Sequence, residues 1–300
     1  MIFLVILLFA LFASLFGLSK STLDYGEPFF LIGSRMTFAG VLLLLQQILF
    51  NRKHLHFKIL HIGALALLGL FGIYLTNVAE IWGLQHMSSA KACLIYSLSP
   101  FIAALVAYLM LGETLNTKKW LGMGIGFLGL IPIFMARSQS EALVGEIASI
   151  SFADLSLLIA VVCSVFGWVL LKKIVTDYNY SPLFANGVAM LMGGCLALLH
   201  SYLAGEQWNP VPVSQLKPFV QNALLMSLIS NIVCYNLYGF LLKHYSATFM
   251  AFAGLVTPLF ASLFGWLFLD ETITWHFYVS MSLFSLGLSI FYYEESDRNA

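Results

Sequence analysis

The fold follows from one sequence that occurs twice in the chain: SPFIAALVAYLMLGET at residues 99–114 and TPLFASLFGWLFLDET at residues 257–272. Both copies place a hydroxyl residue and a proline inside an apolar run, and both end on glutamate followed by threonine. The offset is 158 residues, and the same offset relates His86 to His244 ahead of the two copies. This repetition predicts that two parts of the chain share one internal architecture.

Three further matches precede the two quoted sequences and keep the same order in both parts of the chain. A Ser-x-Phe-Gly sequence occurs at residues 14–17 and 164–167, Pro-x-Phe at 28–30 and 182–184, and Leu-x-His-x-Ser at 84–88 and 242–246. One short match would arise by chance, whereas four in the same order indicate an internal repeat. We therefore predict two repeats, at residues 1–150 and 151–300.

The composition places both repeats in a lipid environment. Of the 300 residues, 60% are hydrophobic and 9% are charged, whereas soluble domains carry roughly 25% charged residues. So few charges cannot cover a surface in contact with water, so the lipid bilayer is the expected solvent. The formal net charge is +0, which argues against nucleic acid as a partner.

Ten apolar segments have the length that crossing a bilayer requires. A transmembrane helix needs about 20 apolar residues to span a hydrocarbon core roughly 30 Å thick. The segments, called spans 1 to 10, are residues 2–19, 29–50, 59–83, 90–111, 117–136, 153–172, 181–204, 217–241, 245–269 and 274–293. We predict an all-α integral membrane protein of ten transmembrane helices in two inverted five-helix repeats, because five is odd and the second repeat must cross in the opposite sense. Inverted repeats suit alternating access.

Charge between the spans orients the chain. With the N-terminus inside, nine Lys and Arg residues fall in inner loops and four in outer loops, as the positive-inside rule requires. Both termini are therefore predicted to be cytoplasmic in a multi-pass protein of the cell inner membrane. The first apolar segment lacks the basic start of a signal peptide, so it is predicted to be the first span.

The motifs resemble those of the drug/metabolite transporter superfamily, specifically the ten-helix EamA-type carriers. They are Pro100 followed by Glu113-Thr114 and Pro258 followed by Glu271-Thr272. The resemblance covers the whole chain and implies a central cavity lined chiefly by spans 1, 3, 4, 6, 8 and 9. It implies transport of amino acids, their derivatives, nucleotide sugars or drugs. The sequence is also similar to the S-adenosylmethionine carriers of obligate intracellular bacteria, which belong to this group.

Ionisable side chains inside spans are candidate site residues, because burying them in lipid is costly unless they are paired or hydrated. Arg35, Glu80 and Lys91 lie in the predicted outer half of the membrane. One interpretation is a site for a zwitterion, in which Arg35 or Lys91 holds a carboxylate and Glu80 holds an ammonium or sulfonium group. One alternative is an ion pair of Glu80 with Lys91 or Arg35 that holds the outer gate closed or stabilises the fold. Another is that Glu80 carries the coupling proton.

Two polar stripes at helical spacing indicate faces that line the cavity. On span 3 the stripe is Tyr74, Asn77 and Glu80, and on span 8 it is Asn231, Tyr235 and Tyr238. The alternative is hydrogen bonding between helices. Among the aromatic residues, Tyr96, Trp168 and Tyr235 are candidates to stack on a planar base or to enclose a cation.

Proline and glycine suggest how the helices move and pack. Pro100 and Pro258 lie within spans, where each removes a backbone hydrogen bond, and they are predicted to act either as hinges or as static kinks. Gly122 and Gly126 form a small-residue face on span 5. That face is a candidate for contact with span 10 or for the interface of a homodimer.

Several catalytic signatures are missing from the sequence. There is no GxxxxGK[ST], HExxH or GxSxG motif, so neither ATP-driven pumping nor enzyme activity is indicated, and no metal or cofactor is expected. We predict a secondary transporter of a small polar organic metabolite, for which the resemblance implies S-adenosylmethionine in exchange for S-adenosylhomocysteine. An exporter of amino acids or drugs, and a polytopic membrane enzyme acting on lipid, remain as alternatives.

Overall fold

The computed structural model describes residues 1–50, 58–86, 92, 95–132, 151–269 and 275–299. Within these ranges nearly every residue is helical, and β-pairing is limited to one isolated bridge between Gly26 and Val213. The prediction of an all-α protein is therefore confirmed for the described residues. Lys91, Glu271 and Thr272 lie outside these ranges.

Most helices begin and end within a few residues of the apolar segments, but α4 begins nine residues after the predicted start of span 4, α5 ends eight residues before the predicted end of span 5, and α10 ends six residues after that of span 10. They are α1 (Ile2–Leu23), α2 (Pro28–Phe50), α3 (Ile59–Gln85), α4 (Ser99–Leu111), α5 (Thr117–Leu128), α6 (Phe152–Thr176), α7 (Pro182–Leu203), α8 (Leu216–Leu241), α9 (Ala247–Ala253, Gly254–Val256 and Thr257–Leu269) and α10 (Trp275–Asn299). Five of them, α2, α3, α6, α7 and α8, are long and apolar enough to cross a membrane. The total of ten crossings stays a prediction.

Helices α2 and α7 correspond to each other in the two predicted repeats, and they pack against each other. A Cβ added to Gly33 of α2 would lie 2.7 Å from the Leu198 side chain of α7, and one added to Gly187 of α7 would lie 3.1 Å from Leu44 of α2. The two contacts are equivalent, because Gly187 lies 154 residues after Gly33 and Leu198 lies 154 residues after Leu44. The register also shows that α2 and α7 run antiparallel.

Helices α5 and α10 form a second antiparallel pair. A Cβ on Gly122 would lie 2.8 Å from the Gly287 carbonyl oxygen, and a Cβ on Gly129 would lie 3.0 Å from Leu283. Such close approach of backbones requires glycine at the crossing. The glycine face of span 5 therefore packs on span 10 of the same chain, and a homodimer stays a prediction without an assigned face.

Irregular backbone lies at matching places in the core helices. Residues Leu68–Leu75 of α3 and Ser227–Cys234 of α8 are π-helical, at an offset of 159 residues. In α9 a 3₁₀ turn at Gly254–Val256 precedes Thr257, and a turn at 97–98 precedes α4.

The sequence predicted Pro100 and Pro258 in the interior of their helices, but the structure places both at the start of a helical segment. Pro100 and Pro258 are each the second residue of an α-helical segment, where a missing N–H leaves no intrahelical bond unmade. The irregular turns lie before the prolines, so neither proline removes a hydrogen bond from a continuous helix.

Candidate functional site

The centre of the site is Arg35 on α2. Its Nη2 donates to Oδ1 of Asn77 at 3.3 Å, while its buried Nε has no partner within the described part of the chain. Asn77 is the second residue after the π-helical segment of α3, and its own Nδ2 donates to the Ile73 carbonyl oxygen at 2.7 Å, which fixes the amide. A guanidinium offers five N–H donors and pairs best with a carboxylate. Arg35 therefore has donors available for an anionic group.

Glu80 supplies the opposite charge one turn further along α3. Its Oε2 accepts a hydrogen bond of 2.8 Å from the Tyr96 hydroxyl. Arg35 and Glu80 interact electrostatically, yet among the described residues no ion pair within 4.0 Å joins them. The direct Arg35–Glu80 pair that the sequence left open is not formed. Lys91, the other candidate cation, lies outside the described residues.

This arrangement keeps a cation and an anion apart in a largely apolar interior. Separated buried charges are costly unless a ligand or water satisfies them. A ligand that carries both a carboxylate and an ammonium group would satisfy the two side chains at once. The geometry therefore suits a zwitterion better than a singly charged ion.

Aromatic rings from three helices lie next to the charges. Trp168 of α6 stacks on Tyr238 of α8, with ring centroids 4.0 Å apart at 22°, and its ring lies 4.9 Å from that of Tyr235. Phe9 and Phe12 of α1 contact Tyr238 and Tyr235 edge-on. Tyr235 interacts electrostatically with Arg35 and Glu80. The aromatic cluster (Phe9, Phe12, Trp168, Tyr235 and Tyr238) therefore adjoins these two charged side chains.

Asn231 of α8 faces α2. Its side chain is fully buried, its Nδ2 lies 2.7 Å from Sδ of Met36 on α2, and its Oδ1 has no hydrogen-bond partner among the described residues. A buried acceptor without a partner is unfavourable and is available to a ligand.

Tyr74 points away from this group. Its hydroxyl lies 3.1 Å from Nδ1 of His200 on α7, whose ring stacks on Phe29 at 4.2 Å. Spacing along α3 predicted a shared face for Tyr74, Asn77 and Glu80, whereas Tyr74 contacts α7 and Asn77 contacts Arg35 of α2. A role for Tyr74 in binding stays a prediction.

Sequence reasoning missed Asn186 of α7. Its Nδ2 donates to the Tyr235 carbonyl oxygen at 2.9 Å and to Oδ1 of Asn236 at 3.2 Å. These bonds hold α7 against the part of α8 that carries the aromatic cluster. A single buried amide in an otherwise apolar helix was the available signal.

An opening lies at one end of the helices. It is a cavity of about 510 Å³ whose lining includes Asp24, Glu27, Gln85, Gln207 and Ser214. Gln85 lies five residues after Glu80 on α3, a rise of about 7.5 Å along the axis. The opening and the charged pair therefore lie towards the same end of α3.

Comparison with known proteins identifies relatives over the full chain. The model of the EamA-like transporter family matches residues 1–135 and again residues 151–293. The S-adenosylmethionine/S-adenosylhomocysteine transporter of Chlamydia muridarum is 38% identical over 295 residues, which are 98% of this chain and 92% of the relative. The protein of the same name from Chlamydia trachomatis serovar L2 is 38% identical, over 98% of this chain and 89% of its own.

A solved crystal structure of another protein has the same fold. It covers 98% of this chain and 96% of its own length with a TM-score of 0.72, at 15% sequence identity. At that identity the likeness concerns the fold alone. The matched family and the two Chlamydia relatives are transporters, so the alternative of an enzyme acting on lipid has no support among them.

Proposed function

The chain belongs to the EamA-like transporter family of multi-pass membrane proteins, and from this premise we propose that it exchanges S-adenosylmethionine for S-adenosylhomocysteine by alternating access. One observation carries the choice of solute: a cation, Arg35, and an anion, Glu80, are held apart beside a cluster of stacked aromatic rings. The names of the Chlamydia relatives point to the same pair of solutes.

Each part of the solute has a matching group in the site. Both compounds carry an α-carboxylate and an α-ammonium, for which Arg35 and Glu80 have the complementary charges. Both carry adenine, a planar base that can stack on Trp168 or Tyr235. S-adenosylmethionine has in addition a sulfonium cation, which either Glu80 or an aromatic face can stabilise.

The inverted repeat at residues 1–150 and 151–300 supplies the transport mechanism in this proposal. It is supported by the exchanged contacts between α2 and α7 at an offset of 154 and by the two π-helical segments at an offset of 159. Two halves with matching packing can exchange their conformations, which opens one site to either side in turn. We place the carrier in the cell inner membrane with both termini in the cytoplasm.

An exporter of amino acids is the second candidate, because Arg35 and Glu80 complement any α-amino acid. The aromatic cluster distinguishes the two, since adenosyl compounds can use it and small amino acids cannot. Competition between solutes therefore separates the candidates.

We expect proteoliposomes that contain the purified protein and are preloaded with S-adenosylhomocysteine to take up radiolabelled S-adenosylmethionine. Uptake should exceed that of unloaded vesicles by about tenfold and should be competed by external S-adenosylhomocysteine more strongly than by methionine. Protein-free vesicles are the control. Uptake that is equal with and without preloading, or that methionine competes equally well, would exclude the proposed exchange.

A further inference from the structure

A partly buried ion pair lies at the end of the helices remote from the opening. Glu113 follows α4 directly after Gly112, whose φ of +66° turns the chain at the helix end. This left-handed conformation favours glycine. The turn directs the Glu113 carboxylate towards α6 and α9.

One carboxylate then joins three helices. Oε1 of Glu113 lies 2.8 Å from Nζ of Lys172 on α6 and accepts from the backbone N–H of Ala247 on α9 at 3.2 Å, while Oε2 accepts from the Thr248 hydroxyl at 3.4 Å. Nζ of Lys172 also donates to the Tyr245 carbonyl oxygen at 2.8 Å. Glu113 belongs to the first half of the chain, and all of these partners belong to the second.

The Glu113–Lys172 pair is more shielded from water than the ion pair of Lys118 with Glu294. The side chains of Lys172 and Glu113 are 18% and 12% exposed. In the pair of Lys118 with Glu294, which joins α5 to α10, the lysine is 71% exposed. Exposed pairs contribute little, whereas a partly buried pair strongly favours keeping both partners together.

The position of the pair along α6 places it far from the opening. Leu157 of α6 packs on Gly83 of α3, two residues before Gln85 of the opening. Lys172 lies fifteen residues further along α6, a rise of about 22 Å. The cavity therefore lies at the Gln85 end of the helices, and the ion pair lies at the Lys172 end.

We propose that the Glu113–Lys172 pair is a latch that keeps this end closed and that it breaks each time the carrier opens there. Alternating access requires the two halves to separate at each end in turn, and a contact that joins Glu113 to α6 and α9 cannot persist during that separation. On opening, both charges regain water, which offsets the lost attraction and keeps the step reversible. The proposal rests on alternating access but not on the identity of the solute.

Distances between spin labels test the latch in the full-length protein. The labels are attached to cysteines at the exposed positions Thr117 and Lys243, on either side of the latch, after replacement of the native cysteines. In lipid nanodiscs without solute, Glu113→Gln should increase the population with a longer label distance at least threefold, because glutamine keeps the acceptor for Ala247 but loses the charge. The matched control is Lys118→Gln, which changes one charge at the same end and should leave the distances unchanged.

Equal distance distributions in Glu113→Gln and Lys118→Gln would show a static contact and overturn the latch. If Glu113→Gln does not yield folded protein, Lys172→Gln tests the same pair and leaves the contacts of Glu113 with α9 in place. Loss of folded protein in both variants would assign the pair to stability of the fold and equally overturn the proposal. If the label distances shift in Glu113→Gln but the unaltered protein does not exchange S-adenosylmethionine, the proposed solute is refuted and the latch is supported.

Discussion

At the residue scale, the separation of Arg35 from Glu80 determines which charged solutes the site can bind. Among the described residues, each side chain has one hydrogen-bond partner, and that partner is neutral: Asn77 for Arg35 and Tyr96 for Glu80. Neither partner compensates a full charge in an apolar surrounding. The empty site is therefore electrostatically unfavourable when closed to water, and a bound zwitterion relieves both charges together. This explains why exchange of one solute for another suits the site better than return of the empty carrier.

Replacing Glu80 by glutamine tests this charge balance. Glutamine preserves the shape and the acceptor for the Tyr96 hydroxyl, but the attraction to an ammonium group is lost. A hydrogen bond to a charged group contributes about 1.5–3 kcal/mol, so the Kd for S-adenosylhomocysteine should rise about tenfold or more, as measured by calorimetry on purified protein. Glu294→Gln, at the exposed pair with Lys118, is the control with the same change. An unaltered Kd in the Glu80 variant would remove Glu80 from the binding site.

Sequence alone could predict Arg35 and Glu80 because an ionisable residue within an apolar span needs a reason to be there. It could not predict that Tyr74 bonds to His200, because helical spacing identifies a face but not the neighbouring helix that the face meets. Asn186 escaped notice for the same reason, since its partners lie on α8. Pairing between helices is a property of the packed molecule.

At the scale of helices, the two π-helical segments lie next to the candidate site. The segment of α3 ends two residues before Asn77, and the segment of α8 ends immediately before Tyr235. Single-turn π geometry is often found at functional sites. The apolar runs predicted most helix bounds to within a few residues but missed the start of α4 at Ser99, which a turn at 97–98 precedes. The π-helical segments have no residue signature, because the segments Leu68–Leu75 and Ser227–Cys234 differ in sequence.

The two prolines offer a test of hinge motion. Since Pro100 and Pro258 occupy the first turn of their helical segments, replacement by alanine restores an N–H that allows the helix to extend through the preceding turn. The double variant Pro100→Ala/Pro258→Ala should stay folded, with a change of about 1 kcal/mol or less per site, and should exchange solute severalfold more slowly at unchanged Kd. The measurements are thermal unfolding, binding and vesicle exchange.

Pro218→Ala is the control for that experiment, because Pro218 also lies in the first turn of a helix, at the start of α8. Exchange by the double variant at the rate of this control would make the turns static bends. A large rise in Kd would show instead that the prolines shape the site.

At the scale of the whole molecule, side-chain hydrogen bonds join the two halves of the chain at both ends of the α2–α7 pair. The Glu206 carboxylate, beyond the end of α7, accepts from the N–H groups of Phe29 and Phe30 at the start of α2, at 2.8 and 2.9 Å. Gln47, near the end of α2, accepts from the hydroxyl of Ser181 at the start of α7, at 3.2 Å. Each helix of the pair thus ends where its counterpart begins, as two inverted halves require. The sequence predicted the matched halves from their motifs, but not these contacts, because they join residues far apart in the chain.

The inversion predicts opposite membrane faces for two equivalent loops. Asp24 lies before α2 and Asp177 before α7, and both side chains are exposed. If the halves are inverted, a cysteine at Asp24 should react with an impermeant maleimide in intact cells, and a cysteine at Asp177 only after permeabilisation, each in a background without native cysteines. The two substitutions are matched in residue type, exposure and place within the repeat, so a difference in labelling reports the side of the membrane. Labelling of both from outside would mean that the halves run parallel, and the alternating-access mechanism proposed here would lose its structural basis.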